Sequence, residues 1–338
     1  MLRAVGRAPE LEGESGKMIR VSSGSAVVLG LETWQLEVPP TTAYLMVGDK
    51  CERDCLFCAQ ARHSTACADQ LSRVSWPAYA MQDVLPRLAA AFERQAIERS
   101  CLQVTAGRGF VELARQVVRE IKAASPVPLC VCIRASHLGL FEALLGLGAE
   151  RVTLALDAAS ERVYNVVKGP DWAKTLQLLR RAAERYPGHV GTHVIVGLGE
   201  TEAEASALMQ EMQDWGITIA LFAFTPVPGT ALAQRLPPPL ASYRRLQVAR
   251  YLIVNGKSRA KDFRFAPDGR IESYGMGALQ LQALLADGRA FETSGCPGCN
   301  RPYYNERPGG ALYNYPRALR PEEAAAATAL VIDSLSSR

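Results

Sequence analysis

Three cysteines lie within one short stretch near residue 50, at the spacing C-x3-C-x2-C; they are Cys51, Cys55 and Cys58. A loop this short lets three thiolates converge on one centre. Three thiolates can bind three irons of a cubane and leave the fourth iron open. A structural zinc site is the alternative, although such sites usually take four ligands from two cysteine pairs. We therefore predict that this loop holds a [4Fe–4S] cluster with one open iron.

A second cysteine pair, Cys296 and Cys299, lies near the C-terminus at the spacing C-x2-C. Two soft thiolates in a tight turn suit a second [4Fe–4S] cluster or a zinc ion, and an unliganded turn is the third alternative. Two cysteines are too few for a cubane. We predict Cys67, in the loop after the first triplet, as the third ligand, with Ser294 or a partner subunit as alternatives.

Short apolar segments alternate with helical patterns from about residue 41 onward. The expected strands cover residues 44–47, 102–105, 127–133, 152–156, 190–196 and 219–224, followed by two weaker segments at 263–266 and 291–294. Such alternation favours parallel pairing with right-handed crossovers. Eight repeats predict an α/β fold, a (β/α)8 TIM-type barrel that is complete or nearly complete.

The chain divides into three predicted regions. These are an N-terminal extension (1–40), the barrel (41–290) and a C-terminal segment with the second cysteine pair and a final helix (291–338). The triplet follows the first strand, which places it at the C-terminal face of a barrel, where chemistry occurs. Because strand eight neighbours strand one in a closed barrel, we expect Cys296 and Cys299 to approach from that same face.

Composition limits the classes of partner. The chain has 338 residues, 48% of them hydrophobic, and a net charge of +4. This balance indicates a large core and predicts no nucleic-acid or membrane partner. Residues 1–7 lack the apolar stretch of a signal peptide, and nine cysteines, an odd number, do not indicate a disulfide framework. We expect a cytoplasmic protein.

The triplet resembles the motif of the radical S-adenosylmethionine (SAM) superfamily, C-x3-C-x-aromatic-C, in which Phe57 is the aromatic residue. The segment 191–200, GTHVIVGLGE, is similar to the biotin synthase branch. The resemblance implies that SAM binds the open iron and is cleaved to a 5′-deoxyadenosyl radical. The implied SAM-binding residues are Phe57, Thr105, Ala106, Gly107, Asp157, Ile195 and Val196. For Asp157, capping of the next helix is an equal alternative.

Residues 293–310 resemble the C-terminal segment of biotin-synthase-like proteins that form two-component lipoyl synthases. The resemblance implies insertion of sulfur into the octanoyl chain of a lipoyl carrier protein. The implied sulfur source is a sacrificial second cluster. It also implies a paralogous radical SAM partner and an electron donor such as ferredoxin or flavodoxin. The alternatives are a biotin-synthase-like mutase, lyase or cofactor-maturation enzyme that makes no C–S bond, and a zinc-stabilised binding protein.

Standard biotin synthases hold their sulfur-donating cluster on cysteines of strands two, three and five. In this sequence the strand-five position falls at about Gly191, so that ligand is missing. Three further cysteines lie on strands two and three: Cys101, Cys130 and Cys132. We interpret them as core residues, since free cysteine packs as a small hydrophobic side chain.

Overall fold

The structure is a computed structural model that describes residues 17–306 and 310–336. Its strands are β1 (Met18–Val21), β2 (Thr42–Val47), β3 (Gln70–Leu71), β4 (Val74–Ser75), β5 (Ala78–Ala80), β6 (Arg99–Val104), β7 (Leu129–Cys132), β8 (Arg151–Thr153), β9 (Val190–Val196), β10 (Thr218–Ala223), β11 (Arg264–Phe265) and β12 (Ile271–Ser273). Its α-helices are α1 (Ser23–Val28), α2 (Met81–Glu93), α3 (Phe110–Ala124), α4 (Leu138–Gly146), α5 (Glu161–Val167), α6 (Trp172–Arg185), α7 (Glu202–Asp214), α8 (Leu240–Val254), α9 (Ala278–Leu285) and α10 (Pro321–Ser336).

A mostly parallel sheet forms the centre of the molecule, in the order β10-β9-β8-β7-β6-β2-β1-β5. The six strands from β2 to β10 in this order run parallel, whereas β1 pairs antiparallel with both β2 and β5. Helices separate successive parallel strands from β6 to β10, as right-handed crossovers require. The α/β class and the first six predicted strands are therefore confirmed.

The strand predicted at 263–266 is present at Arg264–Phe265 but does not belong to the central sheet, and the strand predicted at 291–294 is wrong. The described residues form no closed barrel. Residues 264–265 pair antiparallel with β12 in a separate two-stranded sheet. The turn between them contains Pro267, Asp268 and Gly269, a sequence typical of tight turns. The other segment forms a 3-10 helix at Arg289–Phe291 and continues without regular structure. A short apolar segment does not distinguish a hairpin arm from a parallel strand.

The C-terminal segment covers the edge of β10 that has no strand partner. The N–H of Leu221 donates to Ser294 Oγ at 2.9 Å, and the Arg301 guanidinium donates to the Leu221 carbonyl at 3.4 Å. The N–H of Arg301 also donates to Tyr44 Oη on β2 at 2.9 Å. Side chains and irregular backbone thus satisfy the edge groups that a further strand would otherwise pair.

Two other segments differ from a simple alternating pattern. Two helices, α5 and α6, follow β8 instead of one, because Gly169 adopts a φ of +100° and Pro170 follows it. Within the predicted N-terminal extension, β1 joins the sheet and buries Ile19 and Val21. Residues 1–16 of that extension lie outside the described residues. The domain boundaries at 40 and 290 stay predictions.

Alternation along the strands separates an apolar face from a polar one. Leu45, Leu102, Val131 and Val152 are fully buried and belong to the main core, which the helices cover. The opposite face carries residues that are unusual for a parallel sheet buried on both sides. They include Tyr44, Cys101, Gln103, Cys130, Cys132, Arg151, Thr153, Gly191, His193, Thr218 and Phe222. These residues line one cavity, so the sheet curves around it.

Candidate active site

The cavity enclosed by the sheet has a volume of about 240 Å³. One end is formed by the loop of the cysteine triplet, through Phe57 and Cys58. The other end is formed by Cys296 and Cys299 in the C-terminal segment. The structure therefore brings both cysteine motifs to one enclosed space.

The triplet loop is held by its own backbone and sulfur contacts. The N–H of Cys58 donates to the Cys55 carbonyl at 3.0 Å, and the N–H of Arg53 donates to Cys51 Sγ at 3.3 Å. Among the three thiols, Cys58 lines the cavity.

Burial alone works against thiolates at this loop. It raises the pKa of Cys58 to about 12 and also raises the pKa of Cys55, although the charge of Lys168 partly offsets the second shift. A thiol bound to a metal is deprotonated outright, because the metal charge outweighs the cost of burial. Three sulfur donors in one loop thus fit an iron–sulfur cluster with an open iron.

The residues after β6 hold the triplet loop through hydrogen bonds. Thr105 Oγ1 donates to the carbonyl of Asp49 at 2.6 Å, and the carbonyl of Ala106 accepts from the N–H of Glu52 at 2.9 Å. Thr105, Ala106 and Gly107 do not line the cavity. Their contacts among the described residues hold the triplet loop, and their contact with SAM stays a prediction.

Asp157 lies in the cavity wall in a backbone conformation that is rare for a residue with a side chain. Its φ is +63°, its backbone bridges to Val194 on β9, and its carboxylate accepts from Lys168 Nζ at 2.7 Å. Ser160, not Asp157, occupies the N-cap position of α5. The capping alternative is therefore wrong. A strained residue held by neighbouring structure is typical of binding sites.

The strand-five motif divides into a cavity residue and a structural turn. Ile195 lines the cavity, whereas Val196 is buried and points to the other face of β9. The carboxylate of Glu200 accepts from the N–H groups of Gly197 and Leu198, at 2.5 and 3.0 Å. Glu200 therefore fixes the turn after the strand. The SAM contacts of Phe57, Ile195 and Val196 stay predictions.

The C-terminal cysteine pair enters the cavity from an unexpected end. The side chains of Thr41 and Arg99 donate to carbonyls of the loop 296–299, at 2.5 and 2.8 Å. Arg99 begins β6 and Thr41 immediately precedes β2, so this loop lies at the N-terminal ends of the strands. The prediction that Cys296 and Cys299 approach from the same face as the triplet is wrong, because the described part of the chain has no eighth parallel strand to carry them there.

Two thiols interpreted as core residues lie beside this pair. Cys101 and Cys130 line the same cavity, and the neighbouring thiols of Cys130 are those of Cys101 and Cys296. Cys299 Sγ lies 3.3 Å from Tyr44 Oη. The interpretation of these cysteines as core packing missed their exposure to the cavity. The available signal was the alternation of Cys, Gln, Arg, Thr and His on strands expected to be wholly apolar.

The other two cysteines stand apart from this group. Cys67 is exposed, lies outside the cavity, and has Asp69 beside its thiol, which raises its pKa. The structure does not bring Cys67 to Cys296 and Cys299. Cys132 lines the cavity one row nearer to the triplet, with its Sγ 3.9 Å from His193 Nδ1. Among residues 17–306 and 310–336, no three His, Cys, Asp or Glu side chains are close enough to hold one metal ion.

This site and fold define a radical SAM enzyme. The family model of the radical SAM superfamily matches residues 45–212, and the chain belongs to that superfamily. Membership implies a [4Fe–4S] cluster and SAM as cofactors. The family match covers the triplet loop and the strands from β6 to β9, but not the C-terminal cysteine pair.

Curated relatives lie in two groups of this superfamily. The chain is 25% identical over 183 residues to the lipoyl synthase of Desulfotalea psychrophila, covering 52% of this chain and 57% of that protein. It is 24% identical over 245 residues to the biotin synthase of Magnetococcus marinus, covering 70% of this chain and 73% of that protein. The chain thus spans little more than half of the lipoyl synthase that it matches.

Solved structures support the fold. The [FeFe]-hydrogenase maturase HydG of Carboxydothermus hydrogenoformans has a TM-score of 0.51 at 17% identity, covering 64% of this chain and 51% of that chain. Methylornithine synthase (PylB) has a TM-score of 0.50 at 12% identity, covering 64% and 62%. In the part of the chain that the structure describes, no helix is long and apolar enough to cross a bilayer.

Proposed function

We propose that this chain inserts sulfur into the octanoyl chain of a lipoyl carrier protein, as a radical SAM enzyme of the lipoyl synthase type. One observation carries the proposal: two groups of cysteines lie at opposite ends of one cavity. A substrate carbon held between them would be in reach of both, and such proximity determines whether a carbon radical meets sulfur before another partner.

The residues at the first end hold and orient the cofactors. Cys51, Cys55 and Cys58 would bind the cluster. Asp157, which is paired with Lys168, is part of the adjacent cavity wall. When bound, the reduced cluster and SAM supply a 5′-deoxyadenosyl radical that removes hydrogen from an unactivated carbon, and a second cluster supplies sulfide. Cys296 and Cys299 would hold that second cluster.

The middle of the cavity suits an acyl chain. Leu71, Trp76, Ala220 and Phe222 contribute apolar surface to its wall. Burial lowers the pKa of His193 to about 4, so the imidazole that also lines this region is neutral at physiological pH. Apolar side chains beside a neutral imidazole favour burial of hydrocarbon.

The partners follow from the same proposal. The octanoyl chain would be presented on a lysine of the carrier protein, a paralogous radical SAM protein would complete the reaction, and ferredoxin or flavodoxin would supply electrons. The support is the match to curated lipoyl synthases, at 25% identity over 183 residues for the Desulfotalea psychrophila protein, and the position of the C-terminal cysteines.

The proposal is tested by anaerobic incubation with SAM, dithionite and an octanoyl-lysyl peptide, with and without a paired paralogue. Mass spectrometry is expected to show sulfur added to the peptide, and no addition when the acyl group is acetyl. Formation of 5′-deoxyadenosine with no sulfur in the octanoyl peptide under either condition would contradict it. That result would favour a biotin-synthase-like enzyme that makes no C–S bond.

A further inference from the structure

We propose that four cysteines from three separate segments form one iron–sulfur cluster site at the end of the cavity opposite to the triplet. They are Cys101, Cys130, Cys296 and Cys299. This inference deepens the proposed function and rests on it for its purpose, since sulfur insertion needs a sulfur source. The site itself can be tested by metal content, without any substrate.

The register of the sheet places two of the four side by side. Tyr44 on β2 is paired with Cys101 on β6, which is paired with Cys130 on β7, and Cys130 is paired with Arg151 on β8. Paired residues of neighbouring strands point to the same face. All four side chains line the cavity, so a row of two thiols runs between a phenol and a guanidinium.

The C-terminal loop brings the other two thiols to this row. The N–H of Cys299 donates to the Cys296 carbonyl at 3.1 Å, which closes a tight turn. Cys296 Sγ lies 4.0 Å from Arg151 Nη1, and Cys130 is its thiol neighbour. Cys299 lies at the other end, packed with Cys101 against the cluster that contains Tyr44. The loop thus supplies one thiol near each end of the row.

Of the two positions between the loop cysteines, the second favours glycine. Gly298 has a φ of +71°, and a Cβ added there would lie 2.1 Å from Glu98 Oε2. A side chain there would be strained by this φ and would have to displace the Glu98 carboxylate. The loop therefore has the close backbone approach that a fixed ligand position needs.

Two arginines beside the four cysteines lack a counter-ion among the described residues. Within residues 17–306 and 310–336, neither Arg151 nor Arg301 has a carboxylate within ion-pair distance. Arg151 is buried, and its other donors reach Thr218 and a backbone carbonyl. Arg301 lies over the Phe222 ring at 4.1 Å. A buried cation is costly unless it is paired. Four thiolates around a cubane carry net negative charge and would pair both.

Cys132 lies outside this set of four because it belongs to the next row of paired residues in the sheet. It is paired with Gln103 and Thr153, one step nearer to the triplet, and its thiol faces His193. The thiols in contact with Cys130 are instead those of Cys101 and Cys296. Cys132 therefore provides a matched control on the same strand as Cys130.

The test counts iron and sulfide after anaerobic reconstitution. We expect about eight irons per chain for the wild-type protein and about four for Cys101→Ala/Cys130→Ala or Cys296→Ala/Cys299→Ala. Cys132→Ala and Cys67→Ala are expected to keep about eight. Reductive cleavage of SAM to 5′-deoxyadenosine, retained in the double variants, shows that they are folded.

Two outcomes would overturn the site. One is an iron content that stays near the wild-type value in Cys101→Ala/Cys130→Ala, and the other is a loss of half the iron in Cys67→Ala. If the double variants lose cleavage of SAM as well, Cys101→Ser/Cys130→Ser is counted instead, by the same criterion. If the iron count falls as expected but no sulfur enters the octanoyl peptide, the site stands and the proposed function fails.

Substitution of Arg151 and Arg301 tests the site separately, through the midpoint potential of its cluster. In a protein whose triplet is replaced by alanines, Arg151→Gln and Arg301→Gln are each expected to shift the midpoint potential of the remaining cluster to more negative values. Loss of a nearby positive charge makes the added electron less stable. Arg180→Gln, at an exposed arginine, is the control and is expected to leave the potential unchanged. An unchanged potential in both test variants would contradict the role of the arginines.

Discussion

The two ends of the cavity are built in opposite ways. At the first end, three cysteines come from eight consecutive residues, Cys51 to Cys58, and backbone contacts hold the loop. At the second end, four thiols come from β6, β7 and the loop 296–299, which lies far from both strands along the chain. A local ligand set is visible in a sequence, whereas a dispersed set becomes visible only when the fold brings its members together.

The two ends also differ in how many ligands they offer. Three thiolates leave one iron open, which is what a substrate-like cofactor such as SAM needs, while four thiolates close the cluster. The second end is also flanked by Arg151 and Arg301, which have no carboxylate within ion-pair distance among the described residues. We therefore expect substitutions at the two ends to affect different steps.

Removal of the first end has the largest expected effect. Cys51→Ala/Cys55→Ala/Cys58→Ala is expected to lower 5′-deoxyadenosine formation at least about a thousandfold, because no electron can reach SAM without the cluster. The second end is expected to keep about four irons per chain. Liquid chromatography with mass spectrometry measures the product, and Cys67→Ala is the control. Substantial SAM cleavage by the triple variant would contradict the assignment of this loop.

Removal of the C-terminal pair is expected to separate hydrogen abstraction from sulfur insertion. Cys296→Ala/Cys299→Ala should abolish sulfur addition to the octanoyl peptide while 5′-deoxyadenosine formation stays within about threefold of the wild-type rate. Both products are measured in one reaction. Sulfur addition at the wild-type rate would show that the pair is not part of the sulfur source.

The sequence predicts part of this arrangement and not the rest. Strand periodicity predicts the six parallel strands, and the spacing of the triplet predicts a cluster loop. The sequence could not show that the predicted barrel does not close, because the short segment 263–266, FRFA, suits a hairpin arm as well as a parallel strand. The direction from which Cys296 enters depends on long-range contacts to Thr41 and Arg99, and no local pattern contains them.

Cys101 and Cys130 show the same limit at single residues. Each lies on a strand whose other face is mostly apolar, and a small buried thiol fits a core as well as it fits a metal site. The distinguishing signal is the set of polar residues on the same face of the sheet, which includes Gln103, Arg151 and Thr153. A row of polar residues inside a parallel sheet indicates a cavity rather than a core.

A smaller effect is expected at the wall of the SAM end. Asp157→Asn is expected to raise the KM for SAM about tenfold, a loss of about 1.4 kcal/mol, because the pair with Lys168 is lost and the side chain can no longer accept as a carboxylate. The maximal rate should change less than the KM. Asp214→Asn, on an exposed carboxylate, is the control. An unchanged KM would remove Asp157 from the SAM site.

The smallest predicted effect lies between the two ends, at His193. Burial lowers its pKa to about 4, so the unfolded chain binds a proton below about pH 6.5 that the folded protein rejects. Stability is therefore lost as the pH falls. Between pH 7.5 and 6.0 the loss should be about 1 kcal/mol. Anaerobic urea titrations should show this loss in the wild-type protein and not in His193→Gln. Equal losses in both proteins would contradict a buried neutral imidazole.

The central claim is that one end of the cavity leaves an iron open for SAM and the other end does not. Electron paramagnetic resonance of the reduced proteins tests it directly, with one end removed at a time. Addition of SAM is expected to change the signal of Cys101→Ala/Cys130→Ala/Cys296→Ala/Cys299→Ala and to leave that of Cys51→Ala/Cys55→Ala/Cys58→Ala unchanged. A signal that responds to SAM in the triple alanine variant, or in neither protein, would contradict the account.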